Sequence, residues 1–151
     1  MKKLLTALFA LPLLFLLPTS SADVRDADRE AVEAAVRDYV EGIYEVQPER
    51  IERSVHPAMV KRGSWRPEGS TEYRTASVMT FEQLVELAGS WNVDDQQGAD
   101  LTYEIEVQDV LDITASAKLS AKWGIDYFHL MKLDDEWKII HVLWQSHPPS
   151  N

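Results

Sequence analysis

The stretch from Leu119 to Trp144 reads LSAKWGIDYFHLMKLDDEWKIIHVLW, in which two aromatic-rich runs flank the polar pair Asp134-Asp135. Aromatic and β-branched residues favour strands, and a short polar pair between two such runs favours a tight turn. The stretch therefore predicts the final hairpin of a sheet. Gly124 lies where a long first strand would have to bend, and we expect a bulge or kink at that residue.

Loop length decides the register of this hairpin, because it fixes which residues stand opposite each other. A two-residue turn predicts three opposed pairs, which are Leu133 with Glu136, His129 with Ile140, and Tyr127 with Val142. One face then holds Tyr127, His129, Met131, Ile140, Val142 and Trp144. The other face holds Asp126, Phe128, Leu130, Trp137, Ile139, His141 and Leu143. A three-residue turn would instead pair His129 with His141 and would change this assignment.

Three amphipathic segments before the hairpin predict helices. Apolar residues recur at three- and four-residue steps over residues 26–45, the pattern of a surface helix with one buried stripe. Pro48 can open a second, short helix, because proline at the first helical position forfeits only an amide that would be unpaired anyway, and His56-Pro57 ends it. Thr80 and the glutamine three residues later form a capping box that predicts a third helix.

The remaining segments predict strands and connections. From Leu101 onward apolar and polar residues alternate, as in a sheet with one solvent-exposed face. Residues 61–77 show no steady period and are predicted to be loop or irregular strand. Three helices followed by consecutive antiparallel strands indicate an α+β fold. We expect a cone-shaped roll, in which a curved antiparallel sheet carries the helices on its concave face and a pocket lies between the two layers.

The N-terminal segment has the layout of a secretory signal peptide. Lys2 and Lys3 precede an apolar run over residues 4–17, and small residues follow up to Ala22. Cleavage after Ala22 would leave residues 23–151 as a single domain. The apolar run is shorter than the roughly 20 residues that cross a bilayer, so no stable membrane span is expected after cleavage. Export to a periplasm or to the cell exterior is predicted.

The charge of the chain bears on its partners. The formal net charge is −10, and removing Lys2 and Lys3 from the 15 basic residues leaves 13 against 25 acidic ones, or −12. Such a field repels polyanions, so nucleic acid is not expected as a partner. The sequence has no cysteine, which excludes disulfides and a lipid-bearing cysteine. Stability must therefore come from the burial of apolar side chains.

Several short blocks carry a resemblance to a known family. They are Tyr39-Val40-Glu41-Gly42, His56-Pro57, Lys61-Arg62, Met79-Thr80, residues 126–132 and residues 136–140. With these blocks the chain resembles the putative lumazine-binding family of the nuclear transport factor 2-like superfamily, which also holds ketosteroid isomerase, scytalone dehydratase and SnoaL-like cyclases. The resemblance implies a cone-shaped α+β roll, a pocket between sheet and helices, and a homodimer through the sheet. No catalytic role carries over residue by residue.

Within the hairpin we interpret the face with Tyr127, His129 and Trp144 as the pocket wall, since mixed aromatic, apolar and hydrogen-bonding side chains are typical of small-molecule sites. His129 would orient the ligand, and the two aromatic rings would stack on it. Alternatively, His129 is a core histidine bonded to a neighbour. Tyr44, on the buried stripe of the first helix, is a further ligand-binding candidate through its hydroxyl, and core packing is the alternative for it.

A basic rim is predicted beside the pocket, formed by His56 and Arg62 together with Lys61. Such a rim would bind a ligand carboxylate or phosphate, with Arg62 as a fork-shaped donor. The alternative is that His56 interacts with the C-terminal dipole of the preceding helix, and that the two cations are solvated or paired with acids.

Acid–base chemistry is a separate hypothesis. Asp126 and His141 share a predicted face and could form a carboxylate-oriented base, although an ion pair or a dimer contact explains them as well. No metal-ligand spacing and no G-x-S-x-G elbow occurs, and no cofactor is expected. The sequence thus predicts an exported protein that binds a small, partly aromatic or heterocyclic molecule. The alternatives are an isomerase or dehydratase that uses His129 or Asp126 with His141, and an adaptor with a filled cavity.

Overall fold

The computed structural model describes residues 21–76, 78–95 and 101–149. In chain order its elements are α1 (Ser21–Tyr44), α2 (Pro48–Ser54), β1 (Val55–Trp65), β2 (Arg74–Thr75), α3 (Phe81–Ala88), β3 (Glu104–Val110), β4 (Thr114–Ala121), β5 (Gly124–Leu133) and β6 (Glu136–Gln145). Nearly all of the predicted signal peptide lies outside the described residues, and its cleavage stays a prediction. Within the described part, no helix combines the length and the apolar character that a membrane span requires.

The six strands form one curved, open sheet in the order β2-β1-β6-β5-β4-β3, and three helices pack on it. The predicted α+β fold is confirmed. The sheet is mixed, however, and not antiparallel throughout, because β1 runs parallel to β6. A hairpin joins only antiparallel strands, whereas β1 enters the sheet directly from α2 and lies beside the last strand of the chain.

The first helix forms because its apolar residues fall on one side. Val32, Val36, Tyr39, Val40 and Ile43 recur at three- and four-residue steps, and each is at most 2% exposed. This stripe packs against the inner face of the sheet, where α1 contacts β3, β4 and β6. The buried stripe predicted from the sequence is therefore confirmed.

The two shorter helices begin as predicted. Pro48 stands in the first turn of α2, and the helix ends at Ser54 because Val55 already has extended backbone angles. At the start of α3 the amide of Gln83 donates to Oγ1 of Thr80 at 3.4 Å, and the amide of Thr80 donates to Oε1 of Gln83 at 2.9 Å. The capping box is thus confirmed, with Gly89 following the last turn.

The segment after α2 differs from its prediction. Residues 55–65 form the long strand β1, although residues 61–77 were predicted to be loop or irregular strand. The sequence of β1 lacks clean alternation, because charged and small residues occupy positions on both of its sides. Its place in the sheet comes from pairing with β6 on one side and with the short strand β2 on the other.

Gly124 ends a turn and does not kink a long strand, so the expected single bent strand is wrong. β4 and β5 form a hairpin, in which Ala121 stands opposite Gly124 and residues 122–123 make the turn. Gly124 has φ +142°, and a Cβ atom there would lie 2.1 Å from the carbonyl oxygen of Gln145. Only glycine fits this conformation and this close approach, which lets the chain reverse at that point.

The turn of the final hairpin agrees with its prediction. Asp134 and Asp135 have φ values of 49° and 64°, as a two-residue type I′ turn requires, and Leu133 stands opposite Glu136. Farther along, a β-bulge shifts the register by one residue at Ile140. The predicted pairs beyond that point are wrong, because the observed pairs are His129 with His141 and Tyr127 with Leu143.

Candidate functional site

A cavity of about 160 Å³ lies between the inner face of the sheet and the helices. Residues from α1, β1, α3, β6 and three connections close around it. Its lining is formed by Ile43, Lys61, Met79, Leu87, Trp91, Trp123 and Trp144. Six of these side chains are apolar or aromatic, and one carries a charge. The cavity therefore has the mixed character that small organic ligands prefer.

The charged group of the cavity is the ammonium of Lys61, whose side chain is 11% exposed. Its Nζ donates to the hydroxyl of Tyr39 at 2.5 Å and to Oδ1 of Asp126 at 3.2 Å. Asp126 is fully buried, so this is an internal ion pair that bridges β1 and β5. Buried ions of opposite charge are tolerated in such positions when hydrogen bonds complete their shells.

The second oxygen of the carboxylate is also engaged, because Nε1 of Trp123 donates to Oδ2 of Asp126 at 2.6 Å. The indole of Trp123 packs in turn against Tyr44 and Trp91, with ring centroids 5.1 Å and 5.4 Å apart. Edge and tilted contacts of this kind are favourable for aromatic rings. The aromatic wall of the cavity is thereby fixed to the ion pair.

The ion pair sets the protonation of its members. Burial alone would lower the pKa of Lys61, but the Asp126 carboxylate and the Tyr39 hydroxyl outweigh that effect, and the pKa is raised. Burial, followed by the nearby carboxylate, raises the pKa of Tyr39. At neutral pH Lys61 therefore lines the cavity as an ammonium, and the buried Tyr39 beside it is a neutral phenol.

Trp144 covers the cavity from β6, next to Gly63 of β1. A Cβ atom at Gly63 would lie 2.7 Å from Cε3 of Trp144 and 2.4 Å from its carbonyl oxygen, so only glycine leaves room for the indole. The Nε1 atom of Trp144 is buried and has no acceptor among the described residues. Buried donors usually have a partner, which makes this one notable.

Two of the predicted pocket residues lie on the other side of the sheet. Tyr127 is 47% exposed on the outer face, and His129 is exposed beside it, so their placement on the cavity wall is wrong. The cause is the bulge at Ile140, which turns Val142 and Trp144 inward while Tyr127 and His129 stay outside. With Arg62, both line a separate outer groove of about 510 Å³. Whether that groove binds a ligand stays a prediction.

The remaining predicted site residues occupy different positions. Trp144 lines the cavity as predicted. Tyr44 is buried, and its hydroxyl accepts from the amide of Lys122 at 2.9 Å. The hydroxyl that was expected to reach the ligand is therefore already hydrogen-bonded. His56 lies at the start of β1, where its Nδ1 accepts from the amide of Ala58 at 3.1 Å. The predicted basic rim is thus divided between the cavity and the outer face.

The predicted pair of Asp126 and His141 does not form. Asp126 points to the inner face, whereas His141 is exposed on the outer face. The bulge again separates them, and it brings the rings of His129 and His141 together with centroids 6.0 Å apart. Within the ranges that the structure describes, no three His, Asp or Glu side chains group as a metal site would require.

The pair of Lys61 and Asp126 was not predicted. One signal was present, because Asp126 alternates with Phe128 and Leu130 and is a charged residue in a buried pattern. Lys61 gave no such signal, since its strand was not recognised. The partnership of the two residues depends on β1 and β5 lying on either side of β6.

Solved structures share this fold. A nuclear transport factor 2-like protein of unknown function from Silicibacter pomeroyi is 15% identical, with 81% of this chain and 98% of that chain covered and a TM-score of 0.61. Similar proteins from Shewanella baltica and Methylobacillus flagellatus are 13% and 17% identical and each have a TM-score of 0.58. These alignments cover 87% and 86% of this chain, and 100% and 96% of the respective relatives. At such low identity they show the fold alone.

No curated protein matches the chain in sequence. A family model described as putative lumazine-binding matches residues 27–145, which contain all the residues that line the cavity. The chain belongs to the putative lumazine-binding family, and it shares its fold with nuclear transport factor 2-like proteins.

Proposed function

We propose that this protein binds a small, planar organic molecule, partly aromatic or heterocyclic, in the cavity between sheet and helices and performs no covalent chemistry on it. The observation that carries the proposal is the lining, in which three indoles surround one ammonium. Flat aromatic walls favour flat ligands, and a single polar group orients them.

The volume of the cavity limits the ligand. An apolar cavity of about 150 Å³ holds a benzene molecule. At about 160 Å³, this one accommodates a single ring with a substituent or a compact fused pair of rings. The family description names lumazine, a fused two-ring heterocycle, which is therefore a reasonable probe for this chain.

The protonation of the cavity favours binding over proton transfer. An isomerase or dehydratase needs a base that faces its substrate. Both oxygens of Asp126 already accept hydrogen bonds, and Lys61 is held as an ammonium. The histidines of the alternative hypothesis, His129 and His141, are exposed on the outer face of the sheet. No lining side chain of the cavity is an unengaged base.

Two measurements test the proposal. Mass spectrometry of protein purified under native conditions would detect a retained small molecule. Titration with lumazine and with indole, followed by calorimetry, would give affinities for the wild type and for Trp144→Phe. We expect Trp144→Phe to weaken binding by roughly two- to tenfold, since an aromatic pair contributes about 0.5–1.5 kcal/mol beyond its buried area.

The matched control is Trp65→Phe, because Trp65 is 37% exposed and does not line the cavity. Its affinities should equal those of the wild type, and so should those of His129→Ala. Equal losses in Trp144→Phe and Trp65→Phe would contradict the cavity as the binding site. Absence of both a retained molecule and probe binding would contradict the function.

We further propose that the protein is exported, with cleavage after Ala22. Support comes from the two lysines, the apolar run and the small residues at its end. The intact mass of protein recovered from the periplasm or the medium of a bacterial host should be that of a chain beginning at Asp23. An intact mass that includes Met1 in a cytosolic fraction would oppose this proposal.

We also propose a homodimer through the outer face of the sheet. Tyr127 and Leu143 stand opposite each other there and are 47% and 60% exposed, which gives an apolar centre to that face. Light scattering should give a dimer for the wild type and a monomer for Leu143→Glu. A monomeric wild type at high concentration would contradict the proposal.

A further inference from the structure

Two groups at the cavity have N–H protons that make no hydrogen bond to the described residues. An ammonium carries three protons, and the ammonium of Lys61 directs bonds to Tyr39 and Asp126 only, among the residues that the structure describes. The indole N–H of Trp144 is the second donor, and it is buried without an acceptor. Both residues line the cavity. A ligand in the cavity can therefore accept hydrogen bonds from both donors with one acceptor atom.

The two donors belong to neighbouring side chains, because Nζ of Lys61 lies over the Trp144 ring system, 6.0 Å from its centre. A ligand oxygen that accepts from both groups needs an N–H···O distance of about 2.9 Å to each donor. A carbonyl oxygen has two lone pairs and can accept two such bonds.

The charge of the site favours neutral over anionic hydrogen-bond acceptors on the ligand. Lys61 is balanced by the buried carboxylate of Asp126, so the ion pair as a whole is neutral. A ligand carboxylate would have to shed its water next to Asp126, in a chain whose net charge is −10. An uncharged acceptor avoids both the loss of carboxylate hydration and the repulsion by negative charge, and it can still accept from both donors.

Resting on the proposed function, we infer that the ligand class is an uncharged, planar carbonyl compound, such as a ring ketone, a lactam or an oxo-heterocycle. Its carbonyl oxygen accepts from Nζ of Lys61 and from Nε1 of Trp144. Its ring lies among the tryptophans of the cavity. The site selects against carboxylates of the same size and against hydrocarbons that offer no acceptor.

Three probes of nearly equal size separate these classes, namely ethylbenzene, acetophenone and benzoate. Each has one ring and fits a cavity of this volume. We expect acetophenone to bind at least about tenfold more tightly than ethylbenzene, which offers no acceptor to the charged donor, and than benzoate, which would lose its hydration next to Asp126. Calorimetry or ligand-detected NMR at pH 7 measures the three affinities.

The double variant Lys61→Met with Asp126→Leu removes both charges and leaves neither ion unpaired. It should reduce the wild-type preference for acetophenone over ethylbenzene, because only the indole N–H of Trp144 remains to donate to the carbonyl oxygen. The matched control is Lys118→Met with Glu106→Leu, which removes an exposed ion pair from the outer face of the sheet. This control should keep the wild-type preference for acetophenone. A preference for acetophenone that is undiminished in the cavity variant would overturn the inference.

The indole N–H of Trp144 gives a readout in the unmodified protein. Its NMR signal can be assigned as the one that Trp144→Phe lacks. We expect acetophenone to move this signal downfield, as a new hydrogen bond does, and ethylbenzene to leave it near its original position.

The outcomes distinguish this inference from the proposed function. Equal affinities for the three probes without a downfield shift, or tightest binding of benzoate, would overturn the carbonyl class and leave the cavity as a binding site. Binding of none of the probes would overturn both.

Discussion

The inner and outer faces of the hairpin formed by β5 and β6 share one backbone but have opposite environments. On the inner face Phe128, Leu130 and Ile139 are at most 1% exposed and form the core. On the outer face Tyr127 and Leu143 are 47% and 60% exposed. Both faces contain aromatic, aliphatic and titratable residues, so composition alone does not tell them apart. A single bulged residue decides which side chains share a face.

The faces also differ in how they treat charge. On the inner face Asp126 is bonded to Lys61 and Trp123, and Lys132 is bonded to Asp28. Low polarity makes an unpaired charge costly there, so each charge has a partner. In the single chain His129 and His141 are exposed on the outer face, and exposed side chains need no buried partner. A charged residue in a buried strand pattern therefore indicates a partner on another strand or helix.

The largest effect should come from deletions that test the bulge. Removing Val142, which pairs with Phe128, turns Trp144 outward if the bulge stays, and puts His141 in the buried position of Val142 if the bulge closes. We expect the loss of the cooperative thermal transition seen by circular dichroism. Removing Ile140 deletes only the unpaired residue of the bulge and should preserve a cooperative transition. Loss of the transition in both deletions would contradict the bulge as the point where the faces are set.

The next largest effect concerns the inner charges. Asp126→Leu leaves the ammonium of Lys61 without its buried counter-ion, and we expect it to lower the free energy of unfolding by about 3–5 kcal/mol. Adding Lys61→Met should recover more than half of that loss. Urea unfolding measures both. In the Leu143→Glu background, which is expected to be monomeric, the outer-face control His141→Leu should remain within about 0.5 kcal/mol of its parent, as exposed positions usually do. Similar losses of unfolding free energy in Asp126→Leu and His141→Leu would contradict the claim that inner-face charges depend on their partners.

A smaller effect is expected where the two strands approach under Trp144. Gly63→Ala places a methyl group against the indole, which should lower the free energy of unfolding by about 1–3 kcal/mol and change the near-ultraviolet spectrum. Gly89→Ala is the control, because the nearest atoms to its added Cβ are 3.6 Å away or more. Urea unfolding should show it within about 1 kcal/mol of the wild type. An unchanged spectrum in Gly63→Ala would contradict the close packing.

The smallest effect is a dependence on pH. Hydrogen bonds from Lys132 and Trp137 lower the pKa of Asp28 below its ordinary value of 3.8. A depressed carboxyl pKa stabilises the fold above the unfolded-state pKa, and the contribution is lost as pH falls through the folded-state pKa. Asp28→Asn should therefore lower the free energy of unfolding by about 1 kcal/mol at pH 7, with the difference shrinking below pH 3.8.

Urea unfolding at several pH values measures this dependence. Asp26→Asn is the control, because Asp26 is exposed on the same helix. If Asp28→Asn lost as much stability at pH 3 as at pH 7, the inner-face bonds of Asp28 would not be the cause.

Local patterns in the sequence determined much of the fold. The stripe of α1, the capping box at Thr80 and the turn at Asp134-Asp135 depend on residues close together in the chain, and each is present as predicted. The short sequence segments that resemble the family extended the fold prediction to the whole domain. β1 was missed, because its position results from pairing with β6, a strand about 80 residues farther along the chain, and not from its own alternation.

The sequence by itself determined the class of fold, the presence of three helices and the turn that opens the final hairpin, since these follow from backbone preferences and short-range periodicity. Only the tertiary structure decided which hairpin face is buried, because a bulge shifts register without a clear local signal. It also decided that Lys61 meets Asp126, since these residues are brought together by strands distant in sequence. A buried charge selects its partner through the packing of the whole sheet, and that packing is a property of the folded chain.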